Sequence, residues 1–247
     1  MPESSSLACA VAPDPVADFA TALSPLIVVS PHYDDAVFSC GNLLSAIPQS
    51  TVMTVFTGRP RDARILTDWD RRCGFSSAGE AMRVRASENR EALDALRAVG
   101  VDLDFLDSQY VRRPDHGSDF LADTLAAMIA QAQPSAVFFP LGLFHEDHVR
   151  VSNVLMLICH RIPSVQWFAY EDIPYSKRPE RVGSRIAELL DRGIVATPSR
   201  VGGLKEGKAR AVEAYRSQFR GLGYDDGRPV LHQHEQYWRL QCNMEFL

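Results

Sequence analysis

Leu26-Ile27-Val28-Val29-Ser30-Pro31-His32-Tyr33-Asp34-Asp35 is the segment from which the architecture can be read. Its opening run is short, apolar and rich in β-branched residues, as a strand buried on both faces requires. Ser30-Pro31 breaks that run, and a helical pattern follows over about 35–46. A buried strand that turns directly into a helix is the opening half of a parallel βαβ unit. The polar residues between them lie at the carboxyl end of the strand, where ligands bind in parallel sheets.

The same alternation continues downstream. Further strands are expected over 51–56, 102–106, 136–139 and 165–170. Helices are expected over 80–99, 119–132 and 146–160, with Gly100 as the C-cap of the first of these. The sum is an α/β fold: a Rossmann-like, mostly parallel sheet with helices on both faces and extra C-terminal helices over 205–220 and 232–246. Residues 1–24, rich in Ser, Ala and Pro, read as an N-terminal arm, and residues 25–247 as a single domain. Segments 57–79 and 171–202 lack periodicity and read as long loops, which in compact domains are more often functional than idle.

Composition narrows the function. A formal charge of −5 gives no basic footprint for nucleic acid or anionic lipid. No apolar run approaches the ~18 residues of a membrane span, and the N-terminus lacks a signal peptide's basic start and apolar core. The expectation is a cytoplasmic protein that binds neither nucleic acid nor membrane. Five widely spaced cysteines with no CxxC pair argue against a cysteine zinc site and read as free thiols. Cys40 reads as a small buried helix residue.

Two clusters carry chemistry. His32-Tyr33-Asp34-Asp35 offers an imidazole and two carboxylates, although either acid could simply cap the helix. Pro140-Leu141-Gly142-Leu143-Phe144-His145-Glu146-Asp147-His148 follows another strand, with two histidines three residues apart. Two acid–histidine clusters at one sheet edge are most simply explained by a metal held between them. Two imidazoles and one carboxylate leave a position open, the pattern of catalytic zinc.

These two motifs resemble the signatures of the LmbE/PIG-L family of zinc-dependent deacetylases, which act on N-acetylglucosaminyl compounds. Arg85-Ala86-Ser87-Glu88, Phe105-Leu106-Asp107 and a late pattern of Lys205, Ala209, Tyr215, Ser217 and Gln218 extend the resemblance from about Leu26 to Phe219. The resemblance implies His32, Asp35 and His148 as ligands of zinc or iron. It implies Asp34 as general base, and His145 as the group that stabilises the oxyanion and competes with Asp34 to protonate the leaving amine. Asp147 becomes an orienting carboxylate and Arg85 a substrate contact. Asp107 and Trp69 join the expected substrate wall. Tyr33 and Ala36 depart from the usual family residues, which bears on substrate and not on metal. The implied reaction removes an acetyl group from an amino-sugar-containing small molecule, the expected partner; a non-sugar amide or ester is the alternative, and a homo-oligomer is compatible with the sequence. Against a metal-free nucleotide module, no GxGxxG or P-loop follows the first strand.

Other conspicuous residues read more plainly. His160 suits a helix C-terminus, and His232 and His234 a surface. His116 sits in a polar loop that could border the pocket. Trp167 reads as core. Trp69, near Arg59, Arg61, Arg64, Arg71 and Arg72, offers a stacking face and donors.

Overall fold

In the computed structural model, residues 21–111, 117–173, 175–199 and 205–242 are described. The elements run β1 (Leu26–Ser30), α1 (Asp35–Ala46), β2 (Thr51–Thr54), α2 (Asp68–Arg72), α3 (Ala78–Leu96), β3 (Val99–Asp102), α4 (Ser118–Ala132), β4 (Ala136–Pro140) and α5 (Glu146–Cys159). They continue with β5 (Gln166–Tyr170), α6 (Pro179–Asp191), β6 (Ile194–Ser199), α7 (Lys205–Val212), α8 (Arg216–Leu222), α9 (Arg228–Leu231) and β7 (Tyr237–Cys242).

The sheet has seven strands in the order β3-β2-β1-β4-β5-β7-β6. The first five are parallel, and β7 pairs antiparallel with both β5 and β6. Alternation along the central strands supplies two cores. Leu26 and Val28 of β1, with Ala136 and Phe138 of β4, face α1, α3 and α7. Ile27 and Val29, with Val137 and Phe139, face α4, α5 and α6. Phe138 stacks on Phe168 of β5 with ring centroids 4.5 Å apart. Helices therefore cover both faces, as a buried parallel sheet requires.

From β1 the chain leaves toward β2 and β3; from β4 it leaves the other way, toward β5. The carboxyl ends of β1 and β4 thus flank the topological switch point, where the connections part and leave a crevice. His32 follows β1 and His145 follows β4.

Several expected elements move. The third strand is Val99–Asp102, earlier than 102–106. The helix before it stops at Leu96 because Arg97 adopts the left-handed conformation (φ 54°), not because of Gly100. Gly100 lies within β3, where a Cβ would come 2.9 Å from Leu93 Cδ1. Segment 57–79 contains the short helix α2, and 171–202 contains α6 and β6 rather than loop alone. The expected helix over 205–220 is two helices, α7 and α8. Within the helix expected over 232–246, Tyr237–Cys242 is instead the strand β7, and 243–246 lie outside the described residues. Cys40 and Cys73 are free and buried, whereas Cys159 is disulfide-bonded, so the reading of five free thiols does not hold. Among the described residues no helix is long and apolar enough to cross a membrane.

The C-terminal segments are clamped onto α1 by a buried ion pair. Lys208 Nζ lies 2.7 Å from Glu235 Oε1 and donates to the Phe38 carbonyl at 2.6 Å. Glu235 also accepts the Asn42 N–H. Gly41 makes room for the pair: a Cβ there would lie 2.7 Å from Lys208 Cγ. Removing one partner strands the other in an apolar setting, so Lys208→Ala should lose about 3–5 kcal/mol of stability in chemical denaturation. A loss below ~1 kcal/mol, the range of surface pairs, would refute the clamp.

Candidate active site

The turn after β1 is built by its own short side chains. The Ser30 hydroxyl donates to the His32 carbonyl (2.5 Å) and accepts the Ala36 N–H (3.0 Å). The His32 N–H reaches Asp35 Oδ2 at 2.8 Å. Asp34 stands at the N-cap position of α1 yet makes no side-chain cap bond. Its carboxylate is therefore not consumed by capping, and capping alone does not account for it.

Asp35 draws both clusters together. Its Oδ2 lies 3.3 Å from His32 Nδ1 and 3.2 Å from His148 Nε2. The far nitrogen of each ring meets another carboxylate. His148 Nδ1 is 2.5 Å from Asp172 Oδ1, and His32 Nε2 is 3.1 Å from Asp147 Oδ2. Donation of those outer N–H groups leaves the lone pairs of His32 Nδ1 and His148 Nε2 facing Asp35, the tautomers a metal site needs. One ligand atom from each of His32, Asp35 and His148 lies within 4.8 Å of the others, a spacing a single cation can span.

The charges fit a cation as well. Burial opposes protonation of His148, but Asp35 and Asp172 outweigh it and raise its pKa to about 10. Burial likewise opposes protonation of His32, yet Asp107, Asp147 and Asp35 hold it well above the usual histidine range. Buried carboxylates here demand positive charge, and protons on imidazoles supply it when no cation does. Burial opposes ionisation of Asp35, but His148 and His32 keep it far below the carboxylate range. Burial, and then the charge of Asp35, push Asp34 up to about 7. The donor set and the field both suit a divalent ion.

His145 caps α5, its Nδ1 accepting the Asp147 N–H at 3.3 Å. Its ring centroid is 5.1 Å from that of His32. Burial, followed by His32 and His148, lowers its pKa. A neutral His145 with its proton on Nε2 is therefore favoured over the protonated form.

One cavity of about 340 Å³ is lined by His32, Asp34, Asp35, His145, His148, Arg85, Asp107 and Trp69, together with Tyr33, Arg72, Gln109, Phe144 and Tyr175. Asp147 sits behind the wall, held by His32 and by the Ser108 N–H and hydroxyl. The loops after β2 and β3 do contribute: Trp69 and Arg72 from one, Asp107 and Gln109 from the other. Of the expected arginine group only Arg72 lines the cavity, its guanidinium 4.8 Å over the Trp69 ring. Arg64 and Arg71 instead pair with Asp62 and Asp68 in solvent. His160, His232 and His234 line no part of it. Trp167 is core, donating to the Ile162 carbonyl. His116 lies outside the described residues.

Asp172 escaped the sequence reading. Beyond holding His148, its Oδ2 accepts the N–H groups of Gly142 and Leu143 and fixes the loop after β4. It too follows a strand's carboxyl end, two residues after Tyr170, which was the available signal.

Comparison with known proteins places this geometry in a family. The family model PIG-L, described as GlcNAc-PI de-N-acetylase, matches residues 27–159 and so includes both clusters. The 2′-N-acetylparomamine deacetylase of Streptomyces fradiae is 29% identical over 212 residues, covering 78% of this chain and 72% of that protein. The A40926 pseudoaglycone deacetylase shares the fold with a TM-score of 0.70 at 23% identity, over 89% of this chain and 98% of that one. The zinc inhibited form of teicoplanin deacetylase does so with a TM-score of 0.69 at 21% identity, over 89% and 99%. The matched span covers more than half of the 247 residues, and the chain belongs to the PIG-L family.

Proposed function

We propose that this protein is a zinc-dependent deacetylase that hydrolyses the N-acetyl group of an amino sugar within a small-molecule natural product. The observation that carries the reading is the convergence of His32 Nδ1, Asp35 Oδ2 and His148 Nε2 beside a carboxylate, Asp34, that caps nothing. Family membership supports N-deacetylation, and the paromamine relative supports an amino sugar in a secondary metabolite. Two imidazoles and one carboxylate suit zinc, with iron the nearest substitute.

His32, Asp35 and His148 would hold the ion. When bound it supplies Lewis acidity, which polarises a carbonyl and brings the pKa of water from ~15.7 to about 7. Asp34 takes the proton from the attacking water. Its carboxyl, raised to about 7 by burial and Asp35, holds and releases a proton readily near neutrality. A cation nearby returns it toward the ionised form that a base requires. Neutral His145 offers Nε2–H to the oxygen of the former acetyl carbonyl, because Nδ1 is engaged by the Asp147 backbone. Asp34 then returns its proton to the departing amine. Asp172 and Asp147 keep both imidazoles oriented.

Acetate release across N-acetyl amino sugars, simple amides and esters tests the function, and turnover of esters alone would overturn it. Asp34→Asn should keep its metal while kcat falls by roughly 10²–10⁴; loss of metal would instead make Asp34 a ligand. His148→Ala should abolish stoichiometric metal. Asp172→Asn should weaken metal affinity by about 10–100-fold, as losing an orienting carboxylate does, measured by chelator competition. Unchanged affinity would remove Asp172 from the site.

A further inference from the structure

Behind the cavity wall lies a second buried charge cluster that the chemistry above does not use. Asp70, on the short helix α2, is 0% exposed, and Arg85 of α3 is 6% exposed while lining the cavity. Arg85 Nη2 donates to Asp70 Oδ1 at 2.6 Å. The Tyr110 hydroxyl donates to Asp70 (3.0 Å to Oδ2) and accepts from Arg85 Nη1 at 3.3 Å. Thr67 ties the same helix to the neighbouring loop: its hydroxyl accepts the Asp70 N–H and donates to Gln109.

Stability is a poor reason to bury an ion pair, because apolar residues of similar volume often do as well. The guanidinium is also under-satisfied. Arg85 Nε is buried and has no hydrogen-bond partner among the described residues. Buried donors are normally paired, and the Nε orphan shows that Asp70 and Tyr110, rather than the guanidinium's own donors, set how Arg85 is held in the cavity wall.

We infer that Asp70 is a positioning residue for substrate binding. Its carboxylate, with the Tyr110 hydroxyl, locks the Arg85 guanidinium in the cavity wall so that its terminal N–H groups bind a hydroxyl oxygen of the amino sugar. The inference rests on the amino-sugar reading above. It gives α2 two tasks: Trp69 and Arg72 form cavity wall, while Asp70 points away from solvent and sets the donor. A planar fork with a fixed orientation loses less freedom on binding than a mobile lysine would.

The experiment is a double-mutant cycle on the zinc-loaded protein, Asp70→Asn, Arg85→Gln and the pair. The probes are N-acetylglucosamine and 2′-N-acetylparomamine, assayed by acetate release. Loss of ground-state binding raises KM and leaves kcat. Asp70→Asn should raise KM about tenfold with kcat within about threefold, and should add nothing in the Arg85→Gln background. A merely structural pair would lower the thermal midpoint and leave KM unchanged, or raise KM equally with and without Arg85; either result overturns the inference. Should Asp70→Asn fail to fold, Tyr110→Phe removes one hydroxyl from the lock and should raise KM about threefold only while Arg85 is present; an unchanged KM overturns it. If the wild-type protein releases acetate from neither probe nor any other N-acetyl amino sugar, the amino-sugar reading itself fails and carries this inference down with it.

Discussion

The parallel pairing of β1 with β4 sets where the site forms. Leu26, Ile27 and Val28 run in parallel register with Ala136, Val137 and Phe138, and both strands are buried throughout. Because the chain departs from these two strands in opposite directions, no crossover helix covers the gap between their carboxyl ends. The residues that follow each strand must therefore face one another. His32 and Asp35 come from one side and His148 from the other, although more than a hundred residues separate them in the chain. Each helix start then adds its own local geometry: Ser30 shapes the turn into α1, and the His145 cap starts α5.

Electrostatics gives that meeting point its chemistry. Asp34, Asp35, Asp107, Asp147 and Asp172 gather around three imidazoles, most of these carboxylates being buried. Such a concentration of carboxylates is tolerable only if positive charge offsets it. The upward shifts of His32 and His148 follow from that need. The two rings that face Asp35 are held toward the charged form, while burial and then the two cationic neighbours lower the pKa of His145. The same crowding pushes Asp34 and Asp35 apart in acidity, so two adjacent carboxylates acquire different tasks. The arrangement is suited to the deacetylation proposed for this chain.

The C-terminal third completes the cavity without contributing to the central parallel strands. Tyr215 reaches from the end of α7 to the Tyr33 carbonyl and to Asn89, and Ser217 and its N–H bind Glu88. These bonds seat α8 against α3 and bring Gln218 and Leu222 to the cavity. Arg220 donates to the Cys73 carbonyl, and Gly221 lies so close to Trp69 that a Cβ would meet its ring at 3.0 Å. The segment between β2 and α3 is thus anchored from two directions. Trp69 is accordingly constrained, with Arg72 over its ring and α8 against it.

Particular elements explain what was legible in the chain and what was not. The buried strands β1, β4 and β5 read directly, because apolar β-branched and aromatic runs between turn residues have few alternatives. His32, Asp35 and His148 were legible because each follows such a strand, so local pattern fixed their place in the sheet. β6 and β7 did not read as strands. They form the antiparallel end of the sheet, where Ile194–Ser199 is only partly buried and carries Pro198. Their state is decided by pairing with one another and with β5, not by their own composition. Asp70 and Asp172 look like ordinary loop acids in the sequence. Only the packing of α2 and α3 sets Asp70 against Arg85, and only the loop after β5 carries Asp172 to His148. Periodicity and strand ends in the chain were enough for the alternating α/β core, the two acid–histidine clusters and their shared sheet edge. Which carboxylate meets which imidazole was not readable there, since distances between segments remote in the chain are set by how whole elements pack.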